Sequence, residues 1–240
     1  MHGQGKQIWT DGKTYEGGFK EGRTHGQGKY TWVNGDIYEG ESKDGVIDGK
    51  GKQTWTVKGS TYEGDFKDGK QEGKGHHILA DGKSYKGGFH NGLKHGEGEI
   101  NRSDGSWYIG SFVEGKKHGF GKEFWFPNDT TYVGDWKMGK KNGYGTIVSS
   151  DGKSYDGEWK DDMKSGQGKT VYADGVVYVG NHEIGYAQGK GKLTWPDGAI
   201  YEGDFAKDDF NGQGKLTQAD GMIKEGEFKD NKQHGKQVVY

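Results

Sequence analysis

Aromatic and glycine residues alternate with charged residues along this chain, in a pattern that returns every 23 or 24 residues. The clearest copy spans residues 62–75 and reads YEGDFKDGKQEGKG. Its first, third and fifth positions are Tyr, Gly and Phe, and acidic residues lie between them. A period of two is typical of a β-strand with one apolar and one polar face. The pattern therefore predicts a sheet with an aromatic face and a charged face.

Ten such blocks follow a half repeat over residues 1–14. The blocks begin at Tyr15, Tyr38, Tyr62, Tyr85, Tyr108, Tyr132, Tyr155, Tyr178, Tyr201 and Lys224. Each block predicts two strands, the first ending in a loop such as Lys67–Glu72 and the second starting at Gly-x-Gly. An Asp-Gly or Asn-Gly pair between blocks, as at Asp11-Gly12, predicts a tight hairpin turn. A hairpin alone is marginally stable, so the hairpins are expected to stack.

The predicted fold class is thus all-β, an elongated single-layer antiparallel β-meander solenoid of about 20 strands. We expect one domain over residues 1–240. Within it, glycines such as Gly134 and Gly157 are expected to leave bare backbone on which aromatic rings of neighbouring strands lie.

Composition narrows the function classes. The chain has 49 Gly and 13% aromatic residues, a net charge of −2 and no cysteine. The lack of cysteine excludes disulfides and thiolate chemistry, and the charge balance gives no general attraction to nucleic acid. No run of apolar residues reaches the ~20 that a membrane helix needs, and the N-terminus shows no secretory signal.

The pattern Tyr-Glu-Gly-Glu/Asp-Phe/Trp-Lys-x-Gly-x-x-x-Gly-x-Gly resembles the MORN repeat (membrane occupation and recognition nexus) over essentially the whole chain. The resemblance implies a twisted ribbon with an aromatic groove, and a role as a scaffold in cytoskeletal or ciliary assemblies in the cytoplasm. It also implies that the chain is not an enzyme, because enzymes of this family carry a separate catalytic domain. No cofactor is expected.

A single-layer sheet is expected to leave part of its aromatic face open to solvent, and such strips mark interaction sites. We expect the middle of a partner-binding groove in the most regular repeats, where an extended or helical protein segment would lie. These residues are Tyr108, Phe112, Tyr132, Trp136, Tyr155 and Trp159. The alternative interpretation is that these rings form only the core.

Other constellations favour architecture over chemistry. His25, His95, His118 and His234 share the eleventh block position, but successive repeats lie about 10 Å apart, too far for one metal ion. Every Gly-x-Gly precedes a predicted strand and not the helix that a phosphate loop needs. No catalytic or metal site is therefore assigned. Rows of lysine offer an alternative function, that of a membrane-surface adaptor that binds phospholipid headgroups.

Two blocks and both ends depart from the pattern. Ser42 and His182 replace the fifth-position aromatic, so these places should pack less well, bend or meet a partner. The end segments, Met1–Trp9 and Lys224–Tyr240, present strand edges without an obvious cap. Because open edges pair with other strands, we expect a homodimer, end-to-end association or a partner at one end.

Overall fold

The computed structural model describes residues 2–239, with side chains over residues 2–234. Its 21 strands belong to a single open antiparallel sheet, and strands and turns make up the described range. This confirms the predicted all-β sheet of about 20 strands. In the part of the chain that is described, no helix is long and apolar enough to cross a bilayer. Met1 and Tyr240, at the ends where association is expected, lie outside the described residues.

The chain divides into two units, Met1–Lys117 and His118–Tyr240. In the first unit each strand pairs with the next one along the chain, which is a meander. Its strands are β1 (Gly3–Ile8), β2 (Thr14–Lys20), β3 (Arg23–Thr31), β4 (Ile37–Lys43), β5 (Val46–Trp55), β6 (Ser60–Lys67), β7 (Lys70–Ile78), β8 (Ser84–His90), β9 (Leu93–Asn101) and β10 (Trp107–Val113).

The second unit has the same meander topology. Its strands are β11 (Lys116–Trp125, which starts just before the unit), β12 (Thr130–Lys137), β13 (Lys140–Val148), β14 (Ser154–Lys160), β15 (Met163–Val171), β16 (Val177–Glu183), β17 (Tyr186–Thr194), β18 (Ile200–Ala206), β19 (Asp209–Thr217), β20 (Ile223–Lys229) and β21 (Lys232–Val239). The single continuous domain over residues 1–240 stays a prediction.

The tight turns lie within the blocks. Asp68 and Gly69 form the whole connection between β6, which ends at Lys67, and β7, which starts at Lys70. Both turn residues have positive φ, 49° and 76°, as a type I′ hairpin turn requires. The predicted loop over Lys67–Glu72 is therefore too long, and the second strand begins before its Gly-x-Gly.

The connections between blocks are wider. Between β1 and β2, the Gly12 N–H donates to the Trp9 carbonyl at 3.0 Å, and the Trp9 N–H donates to the Lys13 carbonyl at 2.9 Å. The Asp11 carboxylate accepts the Lys13 N–H at 3.0 Å. Only Gly12 of the Asp-Gly pair has positive φ. A hairpin turn is therefore found at this Asp-Gly pair, as predicted, but it is longer than a two-residue type I′ turn, which needs positive φ at both residues.

A β-bulge in the second strand explains the glycine at the twelfth block position. In the hairpin of β12 and β13 the register shifts between Gly134 and Trp136. Gly143 lies in the bulge with a φ of +81°, which other residues rarely adopt. The carboxylate of Asp135 accepts the backbone N–H of Tyr144 at 3.0 Å and so satisfies a donor that the bulge removes from the ladder.

The core is a row of tyrosines on one face of the sheet, here called the aromatic face; the opposite face is the polar face. The first-position tyrosines are at most 2% exposed: Tyr15, Tyr38, Tyr62, Tyr85, Tyr108, Tyr132, Tyr155, Tyr178 and Tyr201. Acidic residues between the rings point to the polar face, as the alternation predicts.

Candidate functional site: the aromatic face

The floor of the aromatic face is a tyrosine lying on two glycines. The Tyr132 hydroxyl donates to the Asp135 carbonyl at 3.0 Å. A Cβ on Gly134 would lie 2.6 Å from this hydroxyl, and a Cβ on the paired Gly145 would meet the same ring. Gly157 is crowded in the same way by the tyrosine two residues before it. Gly134 and Gly157 do seat rings, but the expectation that these rings come from neighbouring strands is wrong, because each ring belongs to the glycine's own strand.

Fifth-position rings lock successive tyrosines together. The Trp159 ring stands edge-on to Tyr132 and Tyr155, with centroids 5.5 and 5.2 Å apart. Its indole N–H donates to the Gly145 carbonyl at 2.9 Å. Such edge-to-face pairs add about 0.5–1.5 kcal/mol beyond the burial of area. Each ring therefore stabilises its own repeat and the preceding one.

The six residues predicted for the partner-binding groove are buried. Tyr108, Tyr132 and Tyr155 are 0% exposed, Phe112 is 1%, Trp136 is 5% and Trp159 is 6%. The expectation that these rings keep one side toward solvent is therefore wrong. Their contact with a partner stays a prediction.

Lysines at the tenth block position account for this burial. The Lys141 ammonium lies 4.5 Å from the centre of the Trp159 ring and 5.6 Å from that of Tyr132. Lys164 lies 4.9 Å from the centre of the Tyr155 ring. The lysine stems cover the rings and their charges face the π-systems. Burial lowers the pKa of Lys141 and of Lys164.

The side chain at the tenth block position thus forms the surface of the aromatic face above the rings. In the first unit Lys94 lies 4.9 Å from the Tyr85 ring centre, and Lys117 lies 4.7 Å from that of Tyr108. In the last complete repeat Phe210 takes this place and stacks on a tyrosine. Four consecutive blocks carry lysine here, at Lys94, Lys117, Lys141 and Lys164. This run of lysines is visible in the sequence, and it is the feature from which the covering of the central rings could have been predicted.

An open groove of about 620 Å³ remains on the aromatic face of the first unit, and we call it the Trp groove. It is lined by Trp32, Asn34, Asp36, Gln53, Trp55, Lys58, Ser60, Phe66, Gly69, Lys70, Gln71, His77, Leu79 and Gly92. Its tenth-position residue is Gln71, in place of the lysine that the next four blocks carry at this position. Burial, followed by the nearby Lys94, lowers the pKa of His77, whose ring lies 5.5 Å from that of Trp55. The groove therefore presents half-buried tryptophans and a neutral imidazole.

The two irregular blocks keep a filled core. Ser42 and His182 are both 3% exposed. His182 stands edge-on to Tyr155 and Tyr178 at 4.9 and 5.0 Å, in the place of the missing ring. The expectation of poorer packing is therefore wrong at His182. Beside Ser42 the buried ring of Tyr30 contacts the tyrosines of the first two blocks.

Several lysines of the polar face form ion pairs with carboxylates on the paired strand. Lys29 lies 3.0 Å from Glu39, and Lys192 lies 2.7 Å from Glu202. Exposed pairs of this kind contribute about 0–1 kcal/mol each. They also leave little net positive charge for an anionic headgroup.

The histidines of the eleventh block position lie in the second strand of their hairpins, His25 in β3, His95 in β9 and His118 in β11. His25 lies 3.6 Å from Asp44, and among the described residues no group of three or more His, Asp and Glu side chains could hold a metal ion. His76 pairs with Glu63 across the polar face, whereas His77 packs beside Trp55. These two histidines thus occupy opposite faces of β7.

Comparisons with known proteins agree with the pattern. The family model described as MORN repeat matches residues 1–14, 15–37, 38–59, 62–84, 85–107, 108–130, 132–154, 155–177, 178–200, 201–223 and 225–236. The search of curated proteins gives no match.

Solved structures show weaker likeness. The SAS-4 (dCPAP) TCP domain of Drosophila melanogaster, in complex with a proline-rich motif of Ana2 (dSTIL), is 11% identical at a TM-score of 0.40, over 65% of this chain and 85% of that chain. The TCP10 domain of Danio rerio CPAP is 14% identical at a TM-score of 0.32, over 97% of this chain and 96% of that chain. A virginiamycin B lyase of Staphylococcus aureus is 12% identical at a TM-score of 0.18, over 95% of this chain and 85% of that chain.

Proposed function

Because the chain belongs to the MORN-repeat family, whose repeats form protein- or membrane-interaction modules, we propose that it is a non-catalytic scaffold that holds a segment of a partner protein on its aromatic face. The observation that carries this proposal is the Trp groove, an open, mainly apolar concavity on the aromatic face. Tryptophan is among the residues most enriched in binding hot spots.

The six central rings belong to this proposal as the support of the binding face. Tyr108, Phe112, Tyr132, Trp136, Tyr155 and Trp159 are buried beneath the tenth-position lysines or beside them. A partner that continues beyond the Trp groove would meet those lysines before it met the rings. A cytoskeletal or ciliary setting in the cytoplasm is part of the same proposal, and microscopy of the tagged chain would test it.

A protein partner is favoured over a membrane surface. Some of the polar-face lysines that would bind headgroups are paired with carboxylates, as in Lys29–Glu39 and Lys192–Glu202. The tryptophans of the Trp groove lie on the opposite face of the sheet, away from these ion pairs.

The decisive experiment compares Trp55→Ser with a control, Val57→Ser. Ser149 occupies the position of Trp55 in a later repeat, so the chain already accepts serine there. Val57 is 81% exposed in a connection. Partners would be cross-linked in native cells and identified by mass spectrometry, with sedimentation of anionic liposomes in parallel.

We expect Trp55→Ser to lose a protein that Val57→Ser and the wild type retain, while liposomes leave all three in solution. An unchanged set of partners in Trp55→Ser would contradict the proposal. Sedimentation that depends on Lys29 and Lys192 would favour the membrane-surface adaptor.

A further inference from the structure

Several tryptophans share one position of the repeat, four residues after the last glycine of a block. They are Trp9, Trp32, Trp55, Trp125 and Trp195. In two of these repeats the chain covers the ring with a cation of its own. The Lys13 ammonium lies 4.2 Å from the centre of the Trp9 ring, and the Lys141 ammonium lies 5.7 Å from that of Trp125. This position of the aromatic face thus binds ammonium groups that the chain itself supplies.

The two tryptophans of the Trp groove lack this cover. Asp36 takes the place of Lys13 in the next repeat, and Gln71 stands where the next four blocks carry lysine. In the described part of the chain, no lysine ammonium lies over the ring of Trp32 or Trp55. Both rings are half-buried and line the open groove. The groove therefore presents the same aromatic surface without the cation that covers it elsewhere.

The carboxylate of Asp36 lies between the two tryptophans. The Trp32 N–H donates to the Asp36 carbonyl at 2.9 Å, and the N–H of Thr56, the residue after Trp55, donates to the Asp36 Oδ1 at 2.9 Å. The Asn34 side chain donates to the other carboxylate oxygen at 2.9 Å. These bonds hold the carboxylate in place, and among the described residues it forms no ion pair. A cation bound here would meet both the ring faces and this counter-charge.

Two lysines also line the groove, at different distances from the tryptophans. Lys70 pairs with Lys67 at the tight-turn end of its hairpin, whereas Trp55 pairs with Ser60 at the other end of β6. The strand is 8 residues long, so these ends lie about 23 Å apart. Lys58 is close in sequence to Trp55 and lies in the connection that follows it. It should weaken the binding of a cation, and its removal therefore has a predictable sign.

We propose that the Trp groove binds a Lys or Arg side chain of the partner segment, whose cation lies over the rings of Trp32 and Trp55 and beside the Asp36 carboxylate. The contact of Lys13 with Trp9 is the intramolecular counterpart of this arrangement. This inference rests on the proposed function, because it specifies the chemistry of the segment that the same groove holds.

The test starts with a selection of displayed random peptides of about twelve residues on the full chain. An enriched peptide is synthesised as selected and in a neutral form, with norleucine for lysine and citrulline for arginine. Both peptides are titrated against the wild type, Asp36→Asn, Lys58→Ser and Gln71→Lys. Asparagine keeps an acceptor for the Thr56 N–H, and Gln71→Lys copies the next four blocks. Glu39→Gln is the matched control, because it removes the same charge from the polar face.

We expect the enriched peptides to share a Lys or Arg, and the neutral form to bind the wild type about tenfold more weakly. Asp36→Asn should weaken binding of the charged peptide by a similar factor, and Lys58→Ser should strengthen it, because a like charge is removed. Gln71→Lys should also weaken binding, since its ammonium would cover the ring of Trp55. Glu39→Gln should bind as the wild type does.

Enriched peptides without Lys or Arg, or a neutral form that binds as well as the charged one, would overturn the inference and leave the proposed function standing. Tighter binding in Asp36→Asn with weaker binding in Lys58→Ser would assign the groove to an anionic segment and also overturn it. Should Asp36→Asn unfold, the two peptides on the wild type and on Lys58→Ser decide. If no peptide is enriched, the inference fails, and the proposed function fails with it only if Trp55→Ser keeps every cross-linked partner.

Discussion

The carboxylate of Asp204 accepts a hydrogen bond of 2.9 Å from the backbone N–H of Gln213 on the neighbouring strand. Gly212, just before Gln213, has a φ of +114° and lies in the bulge of this hairpin. The same contact recurs from the fourth block position at Asp65 and Asp135. The acidic residue at this position therefore has a structural task besides solubility.

We expect Asp204→Ala to lower the free energy of unfolding by about 1–3 kcal/mol, because the bulge N–H loses a charged acceptor. Glu202→Ala is the matched control in the same strand. Glu202 makes an exposed ion pair with Lys192, so its loss should cost less than about 1 kcal/mol. Urea unfolding of both variants measures the difference, and equal losses would contradict the assigned role.

His182 predicts a pH dependence of stability. It is 3% exposed, and its Nε2 lies 3.1 Å from the Thr170 hydroxyl. Burial, and next the nearby Lys164, lower the pKa of His182 to about 4, against the opposite effects of the Gly180 backbone, Asp208 and the Gly166 backbone. Between about pH 6.5 and 4 the unfolded chain therefore binds a proton that the folded chain does not.

The contribution of His182 is thus fully present above about pH 6.5 and falls as the pH drops toward 4, by about 3 kcal/mol in total. Thermal unfolding across this range would measure it. His182→Phe restores the aromatic residue of the other blocks and should lose this part of the pH dependence. Identical pH profiles for the wild type and His182→Phe would show that the imidazole does not titrate in this window.

Much of the architecture could be predicted from alternation alone. The faces, the strand number and the seating of rings on Gly134 all follow from a period of two and from a glycine that recurs beside an aromatic residue. The lengths of the turns could not be predicted, because a Gly-containing dipeptide does not reveal which of its residues has positive φ. At Asp68-Gly69 both residues do, whereas at Asp11-Gly12 only the glycine does.

The candidate site was harder to predict, because it depends on which side chain covers which ring. A periodic pattern shows that Trp159 and Lys141 share a face, but not that one lies on the other. The solvent-exposed part of the aromatic face is formed by residues at the variable positions of the repeat, and not by those at its regular positions. The Trp groove is accordingly found at Gln71, one repeat before the row of tenth-position lysines begins at Lys94.

Glycine at the third block position is predicted to resist substitution. A Cβ on Gly134 would lie 2.6 Å from the Tyr132 hydroxyl and would also press on the paired backbone. Gly134→Val should therefore lower the free energy of unfolding by about 1–3 kcal/mol, despite the higher β-propensity of valine. Gly139 lies in the turn of the same hairpin, where a Cβ would meet nothing within 4 Å. Gly139→Ala should cost only the strain of its positive φ, about 1 kcal/mol.

Calorimetric melting of both variants separates the two effects. If the added side chain is crowded at Gly134, the melting temperature should fall clearly in Gly134→Val and less in Gly139→Ala. An unchanged melting temperature in Gly134→Val would remove the argument that rings rest on glycine.

The last prediction tests whether Trp159 belongs to the core or to the partner-binding surface. This ring is 6% exposed and donates its indole N–H to the Gly145 carbonyl at 2.9 Å. Trp159→Gln would leave a cavity between two tyrosines and bury an amide, so we expect a loss of about 3 kcal/mol in the free energy of unfolding. Partner binding should fall in parallel with folding.

Trp159→Phe is the control, because phenylalanine occupies the fifth position in other blocks, as at Phe66 and Phe89. It should keep the edge-to-face packing at a cost below about 1.5 kcal/mol and should bind the partner as the wild type does. Melting temperature and affinity for one partner peptide would be measured for both variants. If Trp159→Gln melts with the wild type and yet loses the peptide, the ring contacts the partner directly, and the buried position found here opens when the partner binds.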